Sequence, residues 1–196
     1  MTRGSHRADG LTSASMKPDL PSVWAMIRQM SAATRPRYTI QQYVHIEEYA
    51  NLKHEYLDGQ VWAIAGGTPE HARMASAITV ALGTQLRERP CAIYSSDARV
   101  RVVATGLDTY PDVTVVCGGE QRDEGDPLAL TNPVLLVEVT SDSSEAYDRG
   151  EKLEHYKRIS ALREVVLVSH REPLVEVFGA PTTAPGQRPK RRAQAT

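Results

Sequence analysis

Apolar positions recur at helical spacing in three stretches of the chain. The stretch "TIQQYVHIEEYANL" predicts a first helix with apolar positions Ile40, Tyr43, Val44 and Ile46. The stretch "TPEHARMASAITVALGTQLRER" predicts the clearest helix, because Thr68 can cap it and Pro69 suits its first turn. Its apolar stripe consists of Ala72, Ala75, Ile78, Leu82 and Leu86. A third helix is predicted for "SEAYDRGEKLEHYKRI".

Shorter apolar runs predict strands. Asp58-Gly59 in "HEYLDGQVWAIAGG" indicates a hairpin with a two-residue turn. The runs "CAIYSS", "ARVRVVAT" and "DVTVVCG" predict three further strands, and the second alternates Arg99 and Arg101 with valines. Three more are predicted for "PVLLVEVTS", "EVVLVSH" and "LVEVF", whereas "GGEQRDEGDPLALTN" has the composition of a loop.

This order of elements predicts an α/β (α+β) fold, a mixed central sheet flanked by helices. The strand–helix–strand order across residues 134–169 predicts a parallel crossover. Residues 1–37 are rich in Ser, Arg, Pro and Ala and predict a disordered extension. The folded domain is expected at residues 38–179, and 180–196 is expected to be a disordered basic tail.

Net charge, cysteine content and the lengths of the apolar segments limit the classes of function that this chain can have. With a formal net charge of −1, the chain is not expected to coat nucleic acid non-specifically, although a local basic groove stays compatible with that value. Cys91 and Cys117 lie in apolar segments without CxxC spacing, which favours buried free thiols over a disulfide or a catalytic thiol. No segment approaches the length of a membrane span, so a cytoplasmic protein is expected.

Two apolar strands each carry one carboxylate. Asp112 begins "DVTVVCG" and Glu138 lies inside "LLVEVTS". Burying an ionised carboxylate is costly unless it is compensated, and a shared divalent cation would compensate both if the strands are neighbours. Mg²⁺ prefers such oxygen ligands. The alternatives are that Asp112 caps a turn after Pro111 and that Glu138 pairs with a helix arginine.

Lys152 lies about two turns into the helix that follows Glu138. From there its ammonium group could reach back to the two carboxylates and stabilise charge during phosphodiester hydrolysis. The alternative is an exposed lysine paired with Asp148 or Glu145, and that pairing would contribute little to stability.

Five blocks in order resemble the Uma-type restriction endonuclease family of the PD-(D/E)xK nuclease superfamily. They are "KHEYLDGQVWAIAGGTPEHA", "YSSDARVRV", "TYPDVTVV", "LLVEVTS" and "AYDRGEKLEHYKRI". The resemblance covers residues 38–178. It implies a restriction-endonuclease-like fold with a Mg²⁺-dependent site, at which Mn²⁺ is a candidate substitute, and DNA as the partner. It is also compatible with a homodimer.

The resemblance carries over to individual residues. Asp112 and Glu138 match the metal-binding carboxylates. The superfamily's usual lysine would fall at Thr140, and Lys152 from the following helix takes that place. Glu55 of "HEYLDG" matches a further acidic position, as a third metal contact, a support for the metal ligands or a simple hairpin charge.

Four other residues are weaker candidates. His71 near the start of the long helix faces the cleft or is an ordinary solvated histidine. Three arginines are candidate phosphate contacts, with ordinary surface charge as the alternative: Arg99, Arg101 and Arg149.

The sequence therefore predicts a metal-dependent endonuclease that hydrolyses DNA phosphodiester bonds. The alternative is a catalytically weak nucleic-acid-binding or accessory protein that retains the nuclease fold.

Overall fold

The computed structural model describes residues 36–64, 66–179 and 193–194. The predicted N-terminal extension, apart from its last two residues, lies outside the described part of the chain, and so does most of the predicted tail. Two residues of that tail, Ala193–Gln194, form a short strand that pairs with the strand Leu174–Gly179.

Four helices and eleven strands are described. The helices are α1 (Ile40–Tyr49), α2 (Pro69–Gln85), α3 (Glu145–Arg149) and α4 (Glu151–Tyr156). The first six strands are β1 (His54–Leu57), β2 (Gln60–Ala63), β3 (Cys91–Ser95), β4 (Arg99–Val102), β5 (Leu107–Thr109) and β6 (Val113–Cys117). The remaining strands are β7 (Ala129–Leu130), β8 (Leu135–Thr140), β9 (Glu164–Ser169), β10 (Leu174–Gly179) and β11 (Ala193–Gln194).

The first two helices begin where their capping residues predict. The Thr39 hydroxyl accepts a hydrogen bond from the Gln42 backbone N–H, and the Gln42 side chain accepts one from the Thr39 N–H, which is a capping box. Thr68 caps α2 by accepting from the His71 N–H at 3.3 Å, and Pro69 occupies the first helical position. Both helix predictions are confirmed.

The predicted hairpin is also confirmed. Strands β1 and β2 pair antiparallel, and Asp58 and Gly59 between them adopt φ values of 47° and 79°. Two consecutive positive φ values match the right-handed twist of the flanking strands, which is why an Asp-Gly pair favours this turn.

The strands form two mixed sheets. Sheet 1 has the order β2-β1-β5-β4-β7, and sheet 2 has the order β11-β10-β9-β8-β6-β3. The α+β class and its mixed strand pairing are confirmed, but the expectation of one central sheet differs from this arrangement. Strands β5 and β7 complete sheet 1, and neither was predicted, because they are only three and two residues long and local periodicity cannot reveal strands that short.

The third predicted helix, after β8, is divided into two short helices, α3 and α4. Strands β8 and β9 pair parallel, as the crossover prediction requires. Between them, Gly150 separates α3 from α4 with φ −106° and ψ −104°. A Cβ at Gly150 would lie 2.9 Å from the Ala146 carbonyl oxygen, so this change of direction depends on glycine.

One hydrophobic core lies beneath α4 and between strands of both sheets. It combines Val100, Val102 and Leu107 of sheet 1 with Leu136, Val165 and Leu167 of sheet 2, and with Leu153 and Tyr156 of α4. The α4 face that contributes to this core also carries Lys152, which is therefore drawn under the surface.

Cys91 and Cys117 form a disulfide, so the expectation of free thiols is wrong. The two residues lie directly opposite one another in the antiparallel register of β3 and β6. Their pairing follows from strand register, which spacing along the chain does not reveal. The bond fixes β3, an edge strand of sheet 2, to β6.

Reducing this disulfide should destabilise the fold. It closes a segment between residues 26 apart in sequence, and a loop of that length corresponds to about 3.5 kcal/mol of unfolding free energy in the chain-entropy description. Urea unfolding of the wild-type protein with and without dithiothreitol measures this loss. The double variant Cys91→Ser/Cys117→Ser should unfold identically under both conditions, and an unchanged wild-type midpoint after verified reduction contradicts the expectation.

None of the described helices is long and apolar enough to cross a bilayer.

Candidate active site

The two carboxylates predicted to share a site come together where β6 and β8 pair. Val113 lies opposite Val137 in this antiparallel register, which places Asp112, one residue earlier, opposite Glu138. The Asp112 Oδ2 atom accepts a hydrogen bond of 2.7 Å from the Val139 backbone N–H. Asp112 therefore binds across to the strand that carries Glu138, and the alternative of a simple turn cap does not describe it.

Glu138 is buried inside sheet 2, with 4 % of its surface exposed. Its Oε1 atom accepts a hydrogen bond of 2.5 Å from the Tyr156 hydroxyl and lies 3.0 Å from the Lys152 Nζ atom. Both partners come from α4, so the compensating cation is the predicted lysine and not a helix arginine.

Lys152 is itself buried, with 6 % exposed. Its Nζ atom lies 3.0 Å from Glu138 Oε1, 3.1 Å from Glu55 Oε1 and 3.7 Å from Asp148 Oδ1. The alternative of an exposed helix lysine does not fit this burial. Since Glu55 belongs to sheet 1 and Glu138 to sheet 2, one ammonium group connects the two sheets.

Glu55 is buried and contacts three side chains, so it is not an exposed charge on the hairpin. Its Oε2 atom accepts a hydrogen bond of 3.0 Å from the Trp62 indole N–H of β2. Its Oε1 atom accepts one from the Thr109 hydroxyl of β5 and also faces Lys152. Its contacts to Trp62, Thr109 and Lys152 form an arrangement suited to holding the lysine in place.

The carboxylate–lysine cluster consists of Lys152 and the carboxyl groups of Glu55, Asp112, Glu138 and Asp148. Burial is the largest influence on the shifted pKa values in this cluster. It raises the pKa of Glu138 to about 8, with Lys152 opposing the shift and the nearby Asp112 and Asp148 carboxylates adding to it. Burial also raises the pKa values of Asp112 and Asp148. For Lys152, burial works against the charge, but Glu138 and the other acidic neighbours outweigh it and raise the pKa well above its ordinary value. Lys152 stays charged, and its single ammonium group faces the three carboxyl groups of Glu55, Glu138 and Asp148.

His71 also reaches the cluster. Its Nε2 atom lies 3.2 Å from Asp112 Oδ2, and 19 % of its side chain is exposed. The interpretation of His71 as a cleft residue agrees with this position, which the first turn of α2 provides.

The three candidate phosphate-binding arginines all pair with carboxylates. Arg99 is buried in sheet 1 with its guanidinium paired to Asp126. Arg101 pairs with Asp108 and lies 3.3 Å from Asp123.

Arg149 of α3 is likewise paired, with Glu145 at 2.9 Å and with Glu176 of β10. The guanidinium charges of all three arginines face carboxylates, and their role as phosphate contacts stays a prediction.

Four further side chains complete the cluster: Asp148, Tyr156, Trp62 and Thr109. Sequence reasoning named Asp148 only as an alternative partner of an exposed Lys152 and assigned no role to the other three. The first two were detectable, because helical spacing places Asp148 and Tyr156 on the same side as Lys152. The cross-strand neighbour Trp62 follows from the hairpin register, in which Glu55 lies opposite it. Thr109 belongs to β5, and without that strand its contact could not be anticipated.

The carboxylate pair fits a magnesium ion. One oxygen of each carboxylate is fixed by protein donors, and within the described ranges Asp112 Oδ1 and Glu138 Oε2 have no hydrogen-bond partner. The described residues hold no group of three or more His, Cys, Asp or Glu ligands. Mg²⁺ commonly binds through one or two carboxylates and keeps several waters, so two free carboxylate oxygens are an adequate donor set.

Comparison with known proteins gives the family. Residues 40–194 match the family model Uma2, described as "Putative restriction endonuclease". The chain belongs to the Uma2 family. The resemblance seen in the five sequence blocks is thereby confirmed, and the residues of the carboxylate–lysine cluster all lie within the matched range.

Two relatives of this Uma2 protein come from Synechocystis sp. (strain ATCC 27184 / PCC 6803 / Kazusa). The "Uncharacterized protein slr1290" is 35 % identical over 153 residues, which cover 78 % of this chain and 80 % of the relative. The "Uncharacterized protein sll1609" is 31 % identical over 139 residues, which cover 71 % and 78 % of the two chains.

A solved structure confirms the fold of this Uma2 protein. The crystal structure of "a putative nuclease belonging to DUF820" from Anabaena variabilis ATCC 29413 superposes with a TM-score of 0.61. The match covers 74 % of this chain and 81 % of the other at 16 % sequence identity. At that identity the likeness is one of fold, and it supports the predicted restriction-endonuclease-like class.

Removing the buried ammonium should destabilise the protein in a pH-dependent manner. Lys152→Met leaves Glu55, Glu138 and Asp148 without their cation, a change that costs about 3–5 kcal/mol for a buried pair. Because a carboxyl group with a raised pKa is neutral below it and charged above it, the loss should be larger at pH 9 than at pH 6, on either side of the Glu138 pKa of about 8. Urea unfolding at both pH values measures it.

Lys157→Met is the matched control, because it removes an ammonium group that pairs only with an exposed carboxylate, that of Glu154, among the described residues. It should cost a few tenths of a kcal/mol at either pH. Equal losses for the two variants, or a Lys152→Met loss that does not change with pH, would argue against a buried ammonium that neutralises this cluster.

Proposed function

We propose that this Uma2 protein is a Mg²⁺-dependent endonuclease that hydrolyses phosphodiester bonds in DNA, with Mn²⁺ as a working substitute. The observation that carries the proposal is the pairing of Asp112 with Glu138 beside the buried Lys152 ammonium. Among the described residues, each carboxylate has one oxygen without a hydrogen-bond partner. Family membership and the nuclease-like fold support the reaction class.

In this proposal Asp112 and Glu138 hold the metal ion. When bound, Mg²⁺ supplies Lewis-acid polarisation of a phosphoryl oxygen and acidifies water. Lys152 supplies positive charge beside the reacting phosphate and orients the attacking water. Glu55 acts through Lys152, which it holds from sheet 1, and Tyr156 fixes the Glu138 oxygen that faces the lysine.

DNA as the substrate and a homodimer as the acting form belong to the same proposal. Both rest on the family resemblance. The net charge of −1 gives the chain no overall attraction for a polyanion. Positive charge at the site is therefore local, and in this proposal the metal ion and Lys152 supply it.

A second candidate function is an accessory nucleic-acid-binding protein that keeps the fold without hydrolysis. The observation that favours it is that the described residues supply two free carboxylate oxygens and no third His, Cys, Asp or Glu ligand beside them. Such a protein should bind DNA in EDTA and leave it uncut when Mg²⁺ is added.

Nicking of supercoiled plasmid separates the two functions. Cleavage should require Mg²⁺ or Mn²⁺ and stop in EDTA. Asp112→Asn, Glu138→Gln and Lys152→Met should each lower the rate by about 100-fold or more, as expected for groups that bind or stabilise the reacting charge. Glu154→Gln, on the exposed side of α4, is the matched control and should cut at the wild-type rate.

Folding of each variant is checked by circular dichroism before its rate is compared. An intact plasmid with folded wild-type protein, at metal concentrations that saturate binding, would leave the accessory function as the better account. Variants that cut as fast as the wild type would show that the reaction uses a different site.

Metal binding should strengthen as pH rises. At pH 6.5 Glu138, with a pKa of about 8, is mainly protonated, and at pH 8.5 it is mainly ionised. Metal ligands must be deprotonated, so binding at the lower pH has to release this proton. Isothermal titration with Mn²⁺ should give a weaker affinity at pH 6.5, and the heat should vary with the ionisation enthalpy of the buffer. Equal affinities and no proton release at both pH values would contradict this assignment.

A further inference from the structure

His71 contacts Asp112 through the oxygen that the strand pair also uses. Its Nε2 atom lies 3.2 Å from Asp112 Oδ2, and the same oxygen accepts the Val139 backbone N–H at 2.7 Å. Two groups from different elements therefore converge on one oxygen. The other oxygen, Oδ1, has no hydrogen-bond partner in the part of the chain that the structure describes.

The same division is found at Glu138. There Tyr156 and Lys152 both contact Oε1, and Oε2 has no described partner. The two carboxylates are thus held in the same manner. On each, protein groups fix one oxygen, and the other has no partner among the residues that the structure describes. At Glu138 the side chains that hold one oxygen are Tyr156 and Lys152. At Asp112 the only side chain among the described residues that contacts the held oxygen is His71.

The chain places the His71 ring by two local devices. The first is the cap of α2, in which Thr68 accepts the His71 backbone N–H and fixes where the helix begins. The second is Gly67, where a Cβ would lie 2.8 Å from His71 Nδ1 and 3.1 Å from His71 Cγ. The φ of Gly67 is not in the left-handed region, so the ring, and not the backbone, is what requires glycine here.

We propose that His71 is a positioning residue, whose Nε2–H holds Asp112 so that Oδ1 is presented to the metal ion. This role rests on the proposed metal-dependent function. His71 acts through Asp112 and is not assigned contact with the metal or the substrate. Partners that orient metal ligands in this manner typically change metal affinity 10- to 100-fold when they are removed.

The test measures binding of Mn²⁺ alone by isothermal titration, without DNA. His71→Ala should raise the dissociation constant about 10-fold or more. His71→Gln should stay within about 3-fold of the wild type, because a glutamine can place an N–H donor near the Nε2 position. A glutamine variant as weak as the alanine variant would overturn the role of the Nε2 donor.

Gly67 provides a second route to the same ring without changing the histidine. Gly67→Ala should weaken Mn²⁺ binding as His71→Ala does, because its new Cβ displaces the ring. In the His71→Ala background the ring is gone, so Gly67→Ala should add nothing. Gly66→Ala is the matched control, since a Cβ there meets nothing within 4 Å. Additive effects of Gly67→Ala and His71→Ala would overturn the proposal.

Thermal unfolding in EDTA separates positioning from a purely structural role. If His71 merely stabilises the fold, its variants lose stability in EDTA while the Mn²⁺ affinity of the folded protein stays unchanged, and the proposal fails. If the wild type binds no Mn²⁺, the proposed metal-dependent function fails with it. If the wild type binds Mn²⁺ tightly and Asp112→Asn abolishes binding, but His71→Ala does not weaken it, only the role of His71 is wrong.

Discussion

One buried ammonium group has to neutralise carboxylates that arrive from two sheets and a helix. Lys152 lies within 3.7 Å of Glu55, Glu138 and Asp148, and 6 % of its surface is exposed. Each of these groups would be costly to bury alone, and only their joint arrangement makes the burial tolerable. The packing of sheet 1, sheet 2 and α4 is therefore tied to the position of a single nitrogen atom.

That position depends on how the chain turns after β8. Gly150 divides the segment into α3 and α4, and the Ala146 carbonyl leaves no room there for a side chain. After this turn, α4 packs Leu153 and Tyr156 into the shared core, and Lys152 is buried with them. The apolar contacts of the helix thus supply the free energy that offsets the burial of its charged neighbour.

The sequence was informative where a residue conflicted with its surroundings. A glutamate inside "LLVEVTS" and an aspartate at the start of "DVTVVCG" conflict with burial, and this conflict led to Asp112, Glu138 and the lysine that serves them. Capping residues and the Asp-Gly turn gave α1, α2 and the first hairpin for a similar reason, because they act locally. The division into two sheets, the Cys91–Cys117 bond and the burial of Arg99 against Asp126 all depend on strand register between distant segments. Periodicity along a single sequence does not encode that register.

A site of this kind must satisfy two opposing demands. Carboxylates without partners destabilise the fold, whereas carboxylates with every oxygen satisfied cannot bind a metal ion. Asp112 and Glu138 meet both demands by using their two oxygens differently, one toward protein donors and one without a described partner. Burial raises the pKa of Glu138 to about 8, so a proton can occupy this carboxyl group when no metal ion is bound. Without a metal ion the protein is thereby spared a fully charged buried pair, and it keeps the arrangement of oxygens on which the proposed metal binding rests.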